Sequence, residues 1–70
     1  MSEQVIIYIK PDCPYSAAAK RDFNMRGVAF EERDVTANPA WLEEMERVSG
    51  QRLVPTIVEG ERVTVGFGGG

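Results

Sequence analysis

The residues of this sequence with the clearest chemistry are Cys13 and Ser16, which stand three positions apart in the stretch Cys-Pro-Tyr-Ser. Cys13 is the only cysteine among 70 residues, and there is no histidine. One cysteine cannot form a disulfide within the chain. The missing histidine excludes a Cys–His nucleophile pair, a Ser-His-Asp triad and a Cys/His zinc site within one chain. Cys13 is therefore a candidate lone nucleophile, provided that its surroundings favour the thiolate.

The elements around Cys13 favour the thiolate. Gln4–Ile9 is an apolar run that predicts a buried β-strand. Residues Pro14–Arg26 are compatible with a helix that Pro14 opens and Gly27 ends. Cys13 then lies at the cap or first turn, where free N–H groups and the helix dipole stabilise an anion, and Lys10 adds positive charge. We predict a lowered thiol pKa; the alternative is that Cys13 only fills an apolar gap.

The rest of the chain predicts three more strands and a second helix. Val28–Val35 is the second predicted strand, and the second helix follows from Pro39 to Gly50, capped by Thr36 or Asn38. Two apolar runs around Glu59-Gly60-Glu61 predict a β-hairpin. The order β-α-β-α-β-β predicts an α/β fold with a mixed four-stranded sheet, because the crossover gives parallel strands and the hairpin antiparallel ones. A final helix is expected to be short or absent.

Length and composition predict one soluble domain spanning residues 1–70. The sequence is 43% hydrophobic and 27% charged, with a formal net charge of −3. That charge argues against nucleic acid or an anionic membrane surface as the main partner. The sequence shows neither a secretory leader nor an apolar run of membrane-spanning length. We therefore expect a monomer in the reducing cytoplasm.

Three motifs, in this order, resemble those of the glutaredoxin family of the thioredoxin fold. Cys-Pro-Tyr-Ser at 13–16 resembles the family's Cys-Pro-Tyr-Cys site with the second cysteine replaced. Val-Pro-Thr at 54–56 resembles the Thr-Val-Pro motif that carries a cis proline. Val-Gly-Phe at 65–67 resembles the turn after the last strand, closest to the small redoxins that serve ribonucleotide reductase. The similarity runs from Val5 to about Gly68.

The resemblance implies a thiol–disulfide oxidoreductase that uses glutathione as a co-substrate and glutathionylated proteins as partners. Cys13 would attack the mixed disulfide. The implied glutathione site consists of Lys10, Tyr15, Val54, Pro55, Gly66, Phe67 and Gly68. A cis Pro55 belongs to that site, whereas the Val54–Pro55 step by itself favours the commoner trans bond. Besides Ser16, two features depart from the family pattern: Leu53 stands where the motif often has threonine, and glycines follow Phe67 where many members have aspartate.

Because Ser16 stands in place of the family's second cysteine, the implied mechanism uses one protein thiol, that of Cys13. A second glutathione would attack the Cys13–glutathione disulfide and regenerate the thiol. Three interpretations of Ser16 stay open. It could donate a hydrogen bond to the thiolate, it could be an ordinary serine at the start of a helix, or it could have been engineered from a cysteine. Two other functions stay open. The chain could bind a [2Fe–2S] cluster through Cys13 in a dimer with two glutathiones, or it could be a redox-silent binding module.

Overall fold

The computed structural model describes residues 4–66 and contains six elements in the predicted order. The elements are β1 (Val5–Ile9), α1 (Pro14–Met25), β2 (Glu31–Asp34), α2 (Pro39–Ser49), β3 (Thr56–Glu59) and β4 (Arg62–Val65). None of the described residues after β4 is helical. Residues 67–70 lie outside the described part of the chain, as do the predicted site residues Phe67 and Gly68.

The four strands form one mixed sheet in the order β2-β1-β3-β4. β1 pairs in parallel with β2 and antiparallel with β3, and β3 pairs antiparallel with β4. The central position of β1 explains its almost wholly apolar sequence, because both of its faces are covered. This arrangement confirms the predicted mixed four-stranded sheet.

One helix covers each face of the sheet, and each face has its own apolar core. The core under α1 consists of Val5, Ile7, Ile9, Ala19, Phe23 and Ile57, with Val28 and Phe30 against it. The core under α2 consists of Tyr8, Val35 and Met45, with Ile6, Trp41, Leu42, Val54 and Val58 against it. Val54 is thus held against the α2 core immediately before β3.

The second strand is shorter than the sequence predicts. It covers Glu31–Asp34 instead of Val28–Val35, and its pairing with β1 starts at Glu31 opposite Ile6. The N–H of Val28 donates to the carbonyl of Phe23 at 3.0 Å, so Val28 still belongs to the turn that ends α1. An apolar side chain in that turn fills the same core as one in a strand, which is why the pattern overestimates β2.

Helix α2 begins and ends at residues suited to those positions. Asn38 is the N-cap of α2, and its side chain accepts a hydrogen bond from the N–H of Ala40 at 3.0 Å. Thr36, the other predicted cap, bonds to Asp34 instead. Gly50 ends α2 with a φ of 75°, a conformation that favours glycine. Within residues 4–66, neither helix is long and apolar enough to cross a membrane.

Candidate active site

Cys13 is the N-cap of α1, as the sequence predicts. Its backbone is extended, with φ −94° and ψ 115°, and Pro14 occupies the first helical turn. Its N–H donates to the carbonyl of Lys10 at 3.1 Å, and its carbonyl accepts from the N–H of Ala17 at 3.2 Å. The thiol is half-buried, and Sγ lies 3.9 Å from the carbonyl oxygen of Val54. These contacts place the sulfur between the start of the helix and the loop before β3.

Ser16 lies on the first turn of α1 and faces inwards. Its residue is 1% exposed, and Oγ has no hydrogen-bond partner among the described residues. Leaving a buried hydroxyl unpaired costs about 1–3 kcal/mol, so such groups are rare and call for an explanation. The neutral thiol is directed at the Val54 carbonyl and gives Ser16 no strong acceptor. The Cys13 thiolate would give it one.

The surroundings lower the pKa of Cys13 below its ordinary value. The largest cause is the Ser16 hydroxyl, which would donate a hydrogen bond to the ionised sulfur, while partial burial raises the pKa. The backbone N–H groups of Ser16 and Tyr15 and the charge of Lys10 lower it further. This direction agrees with the prediction made from the helix-start position.

The loop that faces Cys13 is fixed from two sides. The Val54–Pro55 bond is cis, so the expectation from the glutaredoxin resemblance is confirmed and the simple preference for trans is wrong. Oγ1 of Thr56, which is fully buried, donates to the carbonyl of Leu53 at 2.7 Å. The N–H of Gly66 donates to the carbonyl of Pro55 at 2.8 Å. The carbonyl of Val54, between these two, stays directed at the thiol.

A cleft of about 510 Å³ opens beside this loop. Its lining residues are Lys10, Val35, Thr36, Leu42, Met45, Arg52, Leu53 and Val54. Five of these eight are aliphatic or methionine, two are cationic, and none is acidic. Arg52 also pairs with Glu46, at 2.6 Å between Nε and Oε2, but both side chains are well exposed.

The structure brings most of the predicted site residues together. Lys10 lines the cleft, and the Gly66 N–H holds the cis-proline loop. Tyr15 is 45% exposed on the first turn of α1. Phe67 and Gly68 lie outside the described residues. The role of these residues in binding glutathione stays a prediction.

Sequence reasoning missed Arg52 and Thr56. A cation two positions before Val54 was the available signal for Arg52. Thr56 is part of the Val-Pro-Thr motif, but a threonine at the start of a strand does not by itself indicate that its hydroxyl holds a loop.

The candidate metal chemistry also stays a prediction. Among residues 4–66, no group of three or more His, Cys, Asp or Glu side chains is placed to hold a metal ion. A [2Fe–2S] cluster takes four ligands, of which this chain would supply Cys13. The other three would have to come from a second chain and from glutathione.

A helix-start cysteine facing a cis proline on a mixed four-stranded sheet defines a thioredoxin-fold redox protein. Comparison with known families gives the particular group, since the glutaredoxin family profile matches residues 5–63. The chain belongs to the glutaredoxin family, and its function is thiol–disulfide oxidoreduction.

Individual relatives agree with this assignment. A glutaredoxin of Neisseria meningitidis serogroup B is 44% identical over 66 residues, which cover 93% of this chain and 78% of that protein. The crystal structure of glutaredoxin grx-1 from Archaeoglobus fulgidus matches with a TM-score of 0.85 and 25% identity, covering 96% of this chain and 77% of that one. The glutaredoxin-like NrdH-redoxin of Escherichia coli matches with a TM-score of 0.83 and 33% identity, covering 91% and 83%.

Proposed function

We propose that this protein reduces mixed disulfides between glutathione and protein thiols, and that Cys13 is the only protein thiol in the cycle. The observation that carries the proposal is the buried Ser16 hydroxyl, which has no partner among residues 4–66 and lowers the pKa of Cys13. A hydroxyl at this position stabilises the thiolate but cannot take part in disulfide exchange. The site therefore favours a cycle in which the second thiol comes from solution.

The cycle consists of two exchange steps. The Cys13 thiolate attacks the glutathione sulfur, so that a Cys13–glutathione disulfide forms and the disulfide to the protein breaks. The protein thiolate leaves and takes up a proton. A second glutathione thiolate then attacks the sulfur of the bound glutathione, releasing oxidised glutathione and the Cys13 thiolate.

The same geometry supports a role for Lys10, Tyr15 and Val54 in binding. A cysteine peptide bonded to Cys13 lies next to Val54, whose carbonyl is directed at the sulfur. Pairing along that backbone would add a short strand-like contact. Lys10 and the first-turn N–H groups would attract an anionic peptide. Glutathione meets these requirements, since it is a short anionic cysteine peptide.

One protein of similar structure belongs to a second type of redoxin. The E. coli NrdH-redoxin is described as glutaredoxin-like with a thioredoxin-like activity profile. Reduction of protein disulfides by a dithiol route needs two cysteines, and this chain has one. The one-thiol route with glutathione is therefore the one that this sequence can complete.

The test is turnover of a glutathionylated protein with glutathione as the only reductant. We expect catalysed release of the protein thiol by the wild-type chain and none by Cys13→Ser. Met25→Ala, at an 80% exposed position at the other end of α1, is the matched control and is expected to keep wild-type turnover. Turnover with dithiothreitol but not with glutathione would contradict the proposed glutathione dependence.

A further inference from the structure

We infer that the cleft beside Val54 is a specificity pocket for the residue that follows the substrate's cysteine, and that it selects a large apolar residue with a nearby carboxylate. The inference rests on the proposed function, since it takes Cys13 as the attacking thiol. It extends the substrate class from glutathione to cysteine peptides that have such a residue after the cysteine. The position, lining and charge of the cleft each support it.

The position follows from the way in which a substrate can pair with Val54. In an antiparallel pair, one residue exchanges both backbone hydrogen bonds with the residue opposite, whereas a parallel pair distributes them over two. Val54 is followed by buried Pro55, which has no N–H, and an antiparallel contact between the substrate cysteine and Val54 needs no donor from Pro55, so this arrangement fits the loop. The residue after the substrate cysteine then lies beside Leu53 and Arg52, which line the cleft.

The lining of the cleft requires an apolar occupant. Of its apolar lining residues, Val35 and Met45 are buried, and Leu42 and Val54 are half-buried. Leu53 also lines the cleft and is 56% exposed, so its apolar surface is open to an occupant. The glycine of glutathione has no side chain and would leave this surface uncovered. A leucine-sized side chain would remove it from water.

The charges at the rim favour an anion next to that side chain. Lys10 and Arg52 are the charged lining residues, and both are positive although the whole chain has a net charge of −3. The Arg52–Glu46 pair is exposed, and surface pairs of this kind contribute little, so a substrate carboxylate can compete for the guanidinium. A free C-terminal carboxylate or an acidic side chain satisfies this requirement.

The test compares two disulfides that differ only in the residue after the cysteine. γ-Glu-Cys-Gly and γ-Glu-Cys-Leu are each coupled to thionitrobenzoate, whose low thiol pKa makes it the leaving group, so that Cys13 attacks the peptide sulfur. A Cys13–peptide disulfide forms as coloured thionitrobenzoate is released. Single-turnover rate constants are divided by those of dithiothreitol with the same compound, which removes differences in intrinsic reactivity. We expect the leucine peptide to react about tenfold faster than glutathione, because the cleft buries much of its side chain.

Two variants separate the cleft from general surface effects. Leu53→Ser is expected to reduce the preference for leucine about threefold, since it removes one apolar wall. Val48→Ser changes another exposed aliphatic residue, away from the cleft, and is expected to retain the preference. Amidation of the leucine carboxylate is expected to slow the wild-type reaction more than the Arg52→Gln reaction.

Three results would overturn the inference. One is an equal rate constant for the two peptides in the wild-type chain, and another is a leucine preference that Leu53→Ser leaves unchanged. The third is equal slowing of the wild-type and Arg52→Gln reactions by amidation. Release from neither peptide would be a different failure, because it would contradict the proposed function of Cys13 itself.

Discussion

At the scale of single residues, the site depends on one buried hydroxyl next to one thiol. Ser16 Oγ has no partner among residues 4–66, and its hydroxyl is the largest cause of the lowered pKa of Cys13. The buried hydroxyl therefore lowers the free energy of unfolding, and the same hydroxyl favours the thiolate form of Cys13. Sites that bind or react often lower stability in this way.

Ser16→Ala is therefore expected to make the protein more stable and less reactive. At a pH below the Cys13 pKa, we expect the free energy of unfolding to rise by about 1 kcal/mol, because the buried unpaired hydroxyl is removed. Ala17→Ser, at an exposed position of the same turn, measures the difference in helix propensity between alanine and serine. This difference is subtracted from the effect of Ser16→Ala. Urea unfolding checks both. A less stable Ser16→Ala protein would show that the hydroxyl already has a stabilising partner.

The gain in unfolding free energy that we expect from Ser16→Ala depends on pH. Since the pKa of Cys13 is lower in the folded chain than the ordinary value of about 8.5, the wild-type protein gains stability as the pH rises between these two values. That contribution is lost as the pH falls through the folded pKa. The stability gained by Ser16→Ala should therefore shrink as the pH rises.

At the scale of elements, the site is a junction between the start of α1 and the loop before β3. Thr56 and Gly66 hold the carbonyls of Leu53 and Pro55, so that the carbonyl of Val54 stays opposite the sulfur. The loop is positioned by hydrogen bonds from β3 and from the end of β4. Its geometry therefore depends on the sheet.

Thr56→Val is expected to loosen this loop. It keeps the shape of the side chain but leaves the Leu53 carbonyl unpaired, which should cost about 1 kcal/mol of unfolding free energy. We expect the reaction of Cys13 with a glutathione mixed disulfide to slow roughly tenfold, because the Val54 backbone is no longer held in place. Stopped-flow kinetics with Thr56→Ser, which retains the hydroxyl, is the control. Equal rates for the valine variant and the wild type would show that Thr56 does not position the loop.

The elements could be predicted from the sequence better than the site could. The order of strands and helices follows from apolar periodicity, and the position of Cys13 follows from Pro14 and the apolar run before it. The start of β2 could not be predicted, because Val28 fills the same core from a turn as it would from a strand. The burial of Ser16 and the cleft at Arg52 depend on elements distant in sequence, and a local pattern does not contain that information.

At the scale of the whole molecule, a polar network ties the α2 face of the sheet together. Tyr8 of β1 is 2% exposed and donates its hydroxyl hydrogen to Glu44 of α2. Arg33 of β2 bonds to the same carboxylate and to Glu31, and its guanidinium lies 5.9 Å from the centre of the Tyr8 ring. Side chains of β1, β2 and α2 thus meet at the buried Tyr8.

This network predicts a loss of stability in alkali. Burial, and then the hydrogen bond to Glu44, raise the pKa of Tyr8 from 10.0 to about 12. The folded protein holds this proton more tightly than the unfolded chain, so its stabilising contribution is complete below pH 10 and is lost as the pH rises towards 12. We expect the wild-type chain to lose up to about 2 kcal/mol of unfolding free energy over this interval relative to Tyr8→Phe. The same pH dependence in both proteins would show that Tyr8 ionises freely in the fold.

The most direct test of the site is an ultraviolet titration of the Cys13 thiolate in the wild-type and Ser16→Ala proteins. We expect the wild-type midpoint to lie below the ordinary value of about 8.5, and the midpoint of Ser16→Ala to lie above that of the wild type, because the largest stabilising hydrogen bond is gone. Cys13→Ser supplies the baseline. A wild-type midpoint at or above the ordinary value, or the same midpoint in both proteins, would contradict the assignment of Ser16 as the group that activates Cys13.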